Sequence, residues 1–450
     1  MDAELAELVK VVTPGHEEWE ERRSRWNLFG ESEVEVRLIA VPKNESDVVK
    51  IVDWARQHKQ TDLGVRSGGH GFFSATAVVI DMREGFAYIE MDDITGIATI
   101  GMGNTLKQVD EGTAPYHVPL GVVSHTGCGL LLTGGVGYQT KAHGTSADNI
   151  VEVTIVTSDG TVHVCSEDQE PDLFFAVRGA APNLGVVTQV KAKTYKLPDA
   201  FCTLHAWPST YENLKRLVDW ADQEAVLTDA NITPYIGLLP SPDYGAHLTA
   251  IHVVCIGNDD AKYKELIGQL EGMDGDIELL PAGRVPFSTP QTIFDASFPK
   301  QYWYVSQNHF PADAPLDPAG LKAAVEAFNK VPLNPTVPMV LWEQRGSLGT
   351  SQYHAFASDS CAQPRHGQRW EAYIFFGTAD KENSEIMRDQ GRQMKSVIQS
   401  YASAGGRCHF TKDEPGRLDF YYGSNTERLR GVANKYDKEG LFATCNGMEF

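Results

Sequence analysis

Hydrophobic and polar positions change texture twice along the chain. In "RLIAVPKNESDVVKIVDWARQHK" an apolar run gives way to a polar turn. A stripe at Val48, Val49, Ile51, Val52 and Ala55 follows. This spacing predicts strand, turn and helix, with Ser46 as N-cap. "TDLGVRSGG" adds a second strand running into glycines, so the opening is βαβ-like. Between "AVVIDM" and about Lys196 the pattern becomes short strands and glycines. There "VEVTIVTSDGTVHVCS" alternates on both sides of Ser158-Asp159-Gly160, a hairpin pattern.

From about 200 to 405 longer periodic segments appear. "YENLKRLVDWADQ", "KYKELIGQLEG", "LKAAVEAFNKV" and "EIMRDQGRQMKSVIQSYA" predict amphipathic helices. "AHLTAIHVVCIG", "PMVLWEQRG" and "RWEAYIFFG" between them predict strands. One sheet with helices on one face accounts for this alternation. Its other face is then left to line a cavity. The final "DFYYGSNTERLRGVANKYDKEGLF" reads as an aromatic turn and a helix, and "HEEWEERRSRWN" near the start reads as a solvated helical face.

The chain has 450 residues, 42% hydrophobic and 22% charged, which suits a soluble protein of more than one packed unit. Sixty acidic against 39 basic residues give a formal charge of −21. That balance disfavours nucleic acid and anionic membranes as partners. No apolar run is long enough to span a bilayer, and the acidic start is unlike a secretory signal. An intracellular, cytoplasmic protein is therefore expected. The seven cysteines are scattered without a CxxC pair, so free thiols are expected and no metal site is supported.

Three stretches carry candidate chemistry. "VRSGGHGFF" runs from Val65 to Phe73 and ends its glycines on His70. It is neither GxGxxG nor a P-loop, yet its backbone amides could hold a diphosphate. "VSHTGCGLLLTGGVGYQTKAHGTSADNIVEV" is a second glycine-rich loop, in which Leu130 to Leu132 predict a buried strand or short helix. "PDLFFAVRGAAPNLGVVTQVKAK" predicts a helix packed on a sheet, a tight turn and a strand.

These motifs, with "VIDM", "IGMGNTL" and the "DFYYGSNTERLRGVANKYD" ending, resemble in order and spacing the FAD-linked oxidases of the vanillyl-alcohol oxidase superfamily. The likeness is to the berberine-bridge-enzyme-like branch, and to its members similar to 6-hydroxynicotine oxidase. It covers about 35–195 and 410–445. The implied fold is α+β: a bipartite, PCMH-type FAD-binding domain (1–200 and 406–450) with an inserted α+β substrate domain (201–405), an antiparallel sheet covered by helices.

The resemblance implies FAD joined covalently to His70. It also implies cofactor contacts from Arg66, Ser67, Gly68, Gly69, Gly71, Thr126, Gly127, Cys128, Gly134, Gly135, Gly137, Asp148, Asn149, Val187 and Tyr422, with Gly185 in the turn over the adenine. Relatives with a second, cysteinyl link would carry it where this chain has Val122, so one bond is expected. His125 occupies a position that gates oxygen in relatives. The usual C-terminal base motif is replaced by "RCHFTKD", with His409 in the asparagine's place. Candidate catalytic residues are therefore His125, His409, Tyr421, Tyr304 and Glu343, with Tyr302 and Tyr373 as substitutes. The implied activity is an oxidase that removes a hydride from an alcohol or amine C–H of a small, aromatic or polycyclic molecule, in specialised metabolism, and reduces O2 to H2O2. A dehydrogenase or redox-neutral cyclase is the alternative. Monomer and homodimer both remain open.

Overall fold

The computed structural model describes residues 2–71, 76–311, 313–356, 360–362, 368–402, 404–405 and 422–442. Four short strands come first: β1 (Lys10–Val12), β2 (Leu38–Val41), β3 (Leu63–Arg66) and β4 (Val78–Asp81). They form a sheet ordered β1-β2-β4-β3, in which β4 runs parallel to both β2 and β3. The helix Glu45–Gln57 joins β2 to β3. It buries Val48, Ile51, Val52, Trp54 and Ala55, so the predicted stripe is its core face. Its N-cap is Asn44 rather than Ser46, because the Asn44 side chain accepts the Asp47 N–H at 3.0 Å.

The next strands are β5 (Ile89–Asp92), β6 (Ile97–Gly101), β7 (Tyr116–His117), β8 (Ile150–Thr157), β9 (Val162–Ser166), β10 (Gly185–Lys193) and β11 (Tyr195–Lys196). Five of them form an antiparallel sheet ordered β5-β6-β10-β8-β9, while β7 and β11 pair separately. The hairpin read at Ser158–Gly160 is the β8–β9 connection. The helix Pro171–Ala180 packs Leu173, Phe174 and Val177 against this sheet.

The remaining strands build one eight-stranded sheet: β12 (Ala200–Pro208), β13 (Ile232–Ser241), β14 (Ala246–Cys255), β15 (Ile277–Val285), β16 (Tyr302–Pro311), β17 (Val337–Gln344), β18 (Gln368–Thr378) and β19 (Ala404–Gly405). Its order is β15-β12-β14-β13-β17-β18-β16-β19, antiparallel throughout. Helices Tyr211–Asp222, Asp260–Gly268, Pro318–Phe328 and Ser384–Gln399 cover one face in a single core. Leu217, Leu266, Val325 and Met387 from these helices meet Ile251, Trp342 and Ile374 from the strands. Each such side chain contributes about 1.5–3 kcal/mol on burial, so the helix layer is held by packing more than by propensity.

Side chains alternate between the two faces of a strand, and this settles two of the candidates. Tyr304 sits in the helix-side core, its ring against Gly391, and Tyr302 packs into the same cluster. Neither reaches the opposite face, which corrects the reading of Tyr304 as a catalytic residue. Among the described residues no helix is long and apolar enough to cross a membrane. Cys128, Cys165, Cys202 and Cys255 are buried free thiols, and Cys361 is buried as well.

Candidate active site

A cavity of about 370 Å³ lies between the glycine-rich loops and the uncovered face of the large sheet. The first loop continues from β3. Ser67 fixes its start: the hydroxyl donates to the Asn104 carbonyl and accepts the Cys128 N–H, both at 2.9 Å. Gly68 and Gly127 face each other so closely that a Cβ on either would collide with the other's backbone. Glycine is thus required there for loop-on-loop packing. Gly69 adopts φ +79°, which other residues rarely do.

His70, at the end of this loop, is 7% exposed. Its Nε2 lies 2.7 Å from Nδ1 of His125, and its Nδ1 lies 3.4 Å from the Thr126 hydroxyl. Burial, and secondarily His125, holds its pKa well below the ordinary histidine value. The ring stacks on Trp26 with centroids 4.8 Å apart and planes 6° apart. Trp26 stacks in turn on Trp303 of β16 at 5.2 Å. The backbone N–H of Trp26 donates to Gly69 and its indole N–H to the Phe298 carbonyl at 2.8 Å. The segment read as a solvated helical face therefore carries Trp26 into the site.

Of the residues expected to contact the cofactor, Ser67, Gly68, Gly69, His70, Gly71, Thr126, Gly127, Gly135, Gly185, Val187 and Tyr422 line the cavity. Other expected contacts lie behind the wall. Arg66 donates to the Arg22 carbonyl, away from the cavity. Cys128 belongs to a buried cluster with Leu131 and Leu173. Gly134 and Gly137 shape the second loop without lining the space, and the Gly137 N–H donates to Thr140 at 2.8 Å. The Asp148 carboxylate accepts from the Thr145 N–H and hydroxyl at 2.7 and 2.8 Å. Asn149 bonds the His143 and Thr145 carbonyls. Both brace the loop from outside. His125 stands directly behind His70. Tyr421 and His409 lie outside the described residues. Val122 lines the cavity.

The opposite wall is the uncovered sheet face. Tyr235 of β13, Gln307 and His309 of β16, Glu343 of β17 and Glu371 and Tyr373 of β18 project into the cavity. Arg345, fully buried, forms ion pairs with both Glu343 and Glu371 and donates to the Tyr373 hydroxyl at 3.1 Å. Glu371 also accepts from Gln307 at 3.1 Å, Gln368 at 3.0 Å and Tyr373 at 2.9 Å. His309 lies 3.1 Å from it. Tyr235 donates to Oε1 of Glu343.

Burial pushes the phenols of Tyr373 and Tyr235 above the ordinary value, while burial and Arg345 push His309 down to about 3. Two carboxylates and one guanidinium leave this wall with one net negative charge. Sequence reading had singled out Glu343 and Tyr373 but missed Arg345, Glu371, His309 and Trp26. The doublets Glu343/Arg345 and Glu371/Tyr373 have strand spacing, yet nothing local marks which face they occupy.

The donor set fits FAD. Glycine backbone lines one end, Met102, Leu106, Leu130, Leu132 and Val187 supply an apolar middle, and His70 stands between this part and the polar wall. Fold and site together define a flavin-dependent oxidoreductase. Comparison with known proteins agrees. A family model described as "FAD binding domain" matches residues 36–166, and one described as "Berberine and berberine like" matches 411–448. An FAD-linked oxidoreductase of Dictyostelium discoideum is 24% identical over 96% of this chain and 92% of its own. The (R)-6-hydroxynicotine oxidase of Paenarthrobacter nicotinovorans is 39% identical over 172 residues, 36% of each chain. The solved structure of BBE-like 1 from Physcomitrella patens covers 99% of this chain and 98% of its own, with a TM-score of 0.85 and 19% identity. The chain thus carries an FAD-binding domain and a berberine-like C-terminal segment, and it is an FAD-dependent oxidoreductase.

Proposed function

We propose that the protein is an oxidase holding FAD covalently through His70 alone. Its substrate is a small, aromatic or polycyclic alcohol or amine, and O2 is reduced to H2O2. The observation that carries this reading is the shared cavity, with His70 on one side and the Glu343–Arg345–Glu371–Tyr373 wall on the other. FAD, when bound, supplies hydride acceptance and reaction with O2.

The chain's own residues supply the rest. His70 is held neutral, as a ring nitrogen needs to be to form a bond. The Cys128 thiol is pushed up to about 12 by burial and sits behind the wall, which supports a single link. Trp26, Phe298 and Phe375, tilted against one another, give an aromatic flank suited to a ring-bearing substrate. Tyr373 and Tyr235 stay protonated and act as donors, so the substrate's O–H or N–H proton goes to a carboxylate. Glu371 is saturated by its four donors and serves as an anchor. Glu343 accepts on Oε1, and its Oε2 takes no hydrogen bond among the described residues. Glu343 is thus the proton acceptor. The net negative charge of this wall favours a substrate that arrives as an amine cation, a class in keeping with the name of the 6-hydroxynicotine oxidase relative.

A flavin-dependent dehydrogenase or redox-neutral cyclase on a natural-product intermediate is the second reading. It draws on the bulk of His125 beside His70, where a small residue would leave room for O2. Rapid reoxidation in air by the reduced protein supports the oxidase, and sluggish reoxidation supports the alternative. The first test is intact mass and absorbance of the denatured protein, wild type and His70→Ala. One FAD retained by the wild type and lost in the variant is expected. FAD released from denatured wild type, or retained by the variant, would overturn the single-link reading.

A further inference from the structure

A separate cluster lies at the far edge of the large sheet, on its helix-covered face. In the β12–β15 pair His205 stands opposite Glu278. Directly paired residues of antiparallel strands project to one face. The connection after the helix Asp260–Gly268 brings Glu271 to the same place. One ring nitrogen of His205 and one carboxylate oxygen from each of Glu271 and Glu278 lie within 4.8 Å of one another.

Two observations separate this group from an ordinary acidic surface. The His205 side chain is 0% exposed, although both glutamates are exposed. Its Nδ1 lies 2.9 and 3.2 Å from the two carboxylate oxygens of Asp276, which fixes the ring and places a proton on that nitrogen. Its Nε2 is buried and has no hydrogen-bond partner among the described residues. Leaving such a nitrogen unpaired is unfavourable. A carboxylate that orients a histidine and leaves its second nitrogen bare is the outer support found behind metal-ligating histidines.

We propose that His205, Glu271 and Glu278 bind one divalent cation of the zinc class, with His205 bonding through the nitrogen that Asp276 does not engage. One imidazole and two carboxylates suit zinc, whereas magnesium prefers oxygen ligands with most of its waters retained. The ion ties the connection between the helix Asp260–Gly268 and β15 to strand β12. No residue of β12 or β15 lines the flavin cavity, and the cluster faces the other side of the sheet. The role is therefore structural, acting by preferential binding to the folded state. His205 lies 66 residues before Glu271, and the other two donors are glutamates, which is why cysteine and histidine spacing gave no hint of them.

The test uses the full-length, flavin-containing protein, stripped with chelator and titrated with zinc chloride by calorimetry, with magnesium chloride in parallel. Thermal unfolding is followed with and without zinc. One zinc per chain and a raised unfolding midpoint are expected, with no comparable effect of magnesium. Glu271→Gln and Glu278→Gln, both exposed changes, should each weaken zinc binding by about tenfold or more. Turnover and the flavin spectrum should stay unchanged in both. His205→Gln should abolish binding, but the two glutamate variants decide the matter if it folds poorly. Absence of zinc binding would overturn the proposal. So would binding that both glutamate variants leave unaltered, because the ion would then sit elsewhere, for instance on His309 and Glu371.

Discussion

Nε2 of His70 lies 2.7 Å from Nδ1 of His125. Two imidazoles at that distance share one proton between facing nitrogens, and both cannot be cationic there. His125 thereby selects which nitrogen of His70 is bare. His125→Ala should lower the fraction of protein that retains FAD after denaturation, while the fold stays intact by circular dichroism. An unchanged fraction would show that His125 has no part in attachment. The pH consequence follows from the depressed pKa of His70. Below about pH 6.5 the unfolded chain gains a proton that the folded chain refuses. Stability of the flavin-free protein should fall as pH drops through that value, and His70→Ala should lose part of the slope.

Trp26→Ala should destabilise the protein by about 3–5 kcal/mol, the range for a large aromatic removed from a packed site. The stacks on His70 and Trp303 and the bond to Phe298 are all lost. Denaturant unfolding measures this. A change under about 0.5 kcal/mol would mean the segment is a surface element after all.

Arg345→Met leaves Glu343 and Glu371 buried without a counter-charge. Removing one partner from a buried ion pair costs about 3–5 kcal/mol. Turnover should fall, and its pH dependence should change with it. A pH–rate profile identical to wild type would separate Arg345 from the chemistry.

Glu343→Gln should lower kcat by roughly 10²–10⁴-fold, the usual contribution of a positioned base, with a smaller effect on KM. Glu371→Gln should act mainly on KM and stability, since its carboxylate is already saturated by donors. The reverse pattern would reassign the base.

Lys141 provides a stability test away from the site. Its ammonium, buried between the two parts of the molecule, bonds among the described residues only the Val226 and Ile232 carbonyls and the Gln344 side chain. Burial lowers its pKa from 10.5 to about 7. Between those values the unfolded chain holds a proton that the folded chain has released. Folding is therefore penalised most below pH 7 and progressively less up to about pH 10.5. The full penalty is about 5 kcal/mol at 1.36 kcal/mol per unit. Lys141→Met should be the more stable protein at pH 6, and the gap should narrow as pH rises. Parallel stability curves would refute this.

Periodicity determined which segments became helices and strands: Val48 to Ala55, Leu214 to Ala221 and the β8–β9 hairpin all follow directly from local spacing. Ordered motifs pointed to the flavin site, because Gly68, Gly127 and His70 have to stand at fixed places in short loops. Facing was another matter. "YWYVSQNHFP" has aromatics on both sides of its pleat, so its sequence does not say whether Tyr304 or Trp303 turns away from the helices to pack against Trp26. The position of β16 between β18 and β19, with helix Ser384–Gln399 on one side, decided for Trp303. Trp26 likewise became a site residue only when the chain brought it to Trp303, some 270 residues away in sequence. Arg345 meets Glu371, and His205 meets Glu278, through strand pairing and sheet order. Local sequence carries backbone preference and burial pattern. Which charged or aromatic groups share a buried space is set by long-range pairing, and only the tertiary structure decides it.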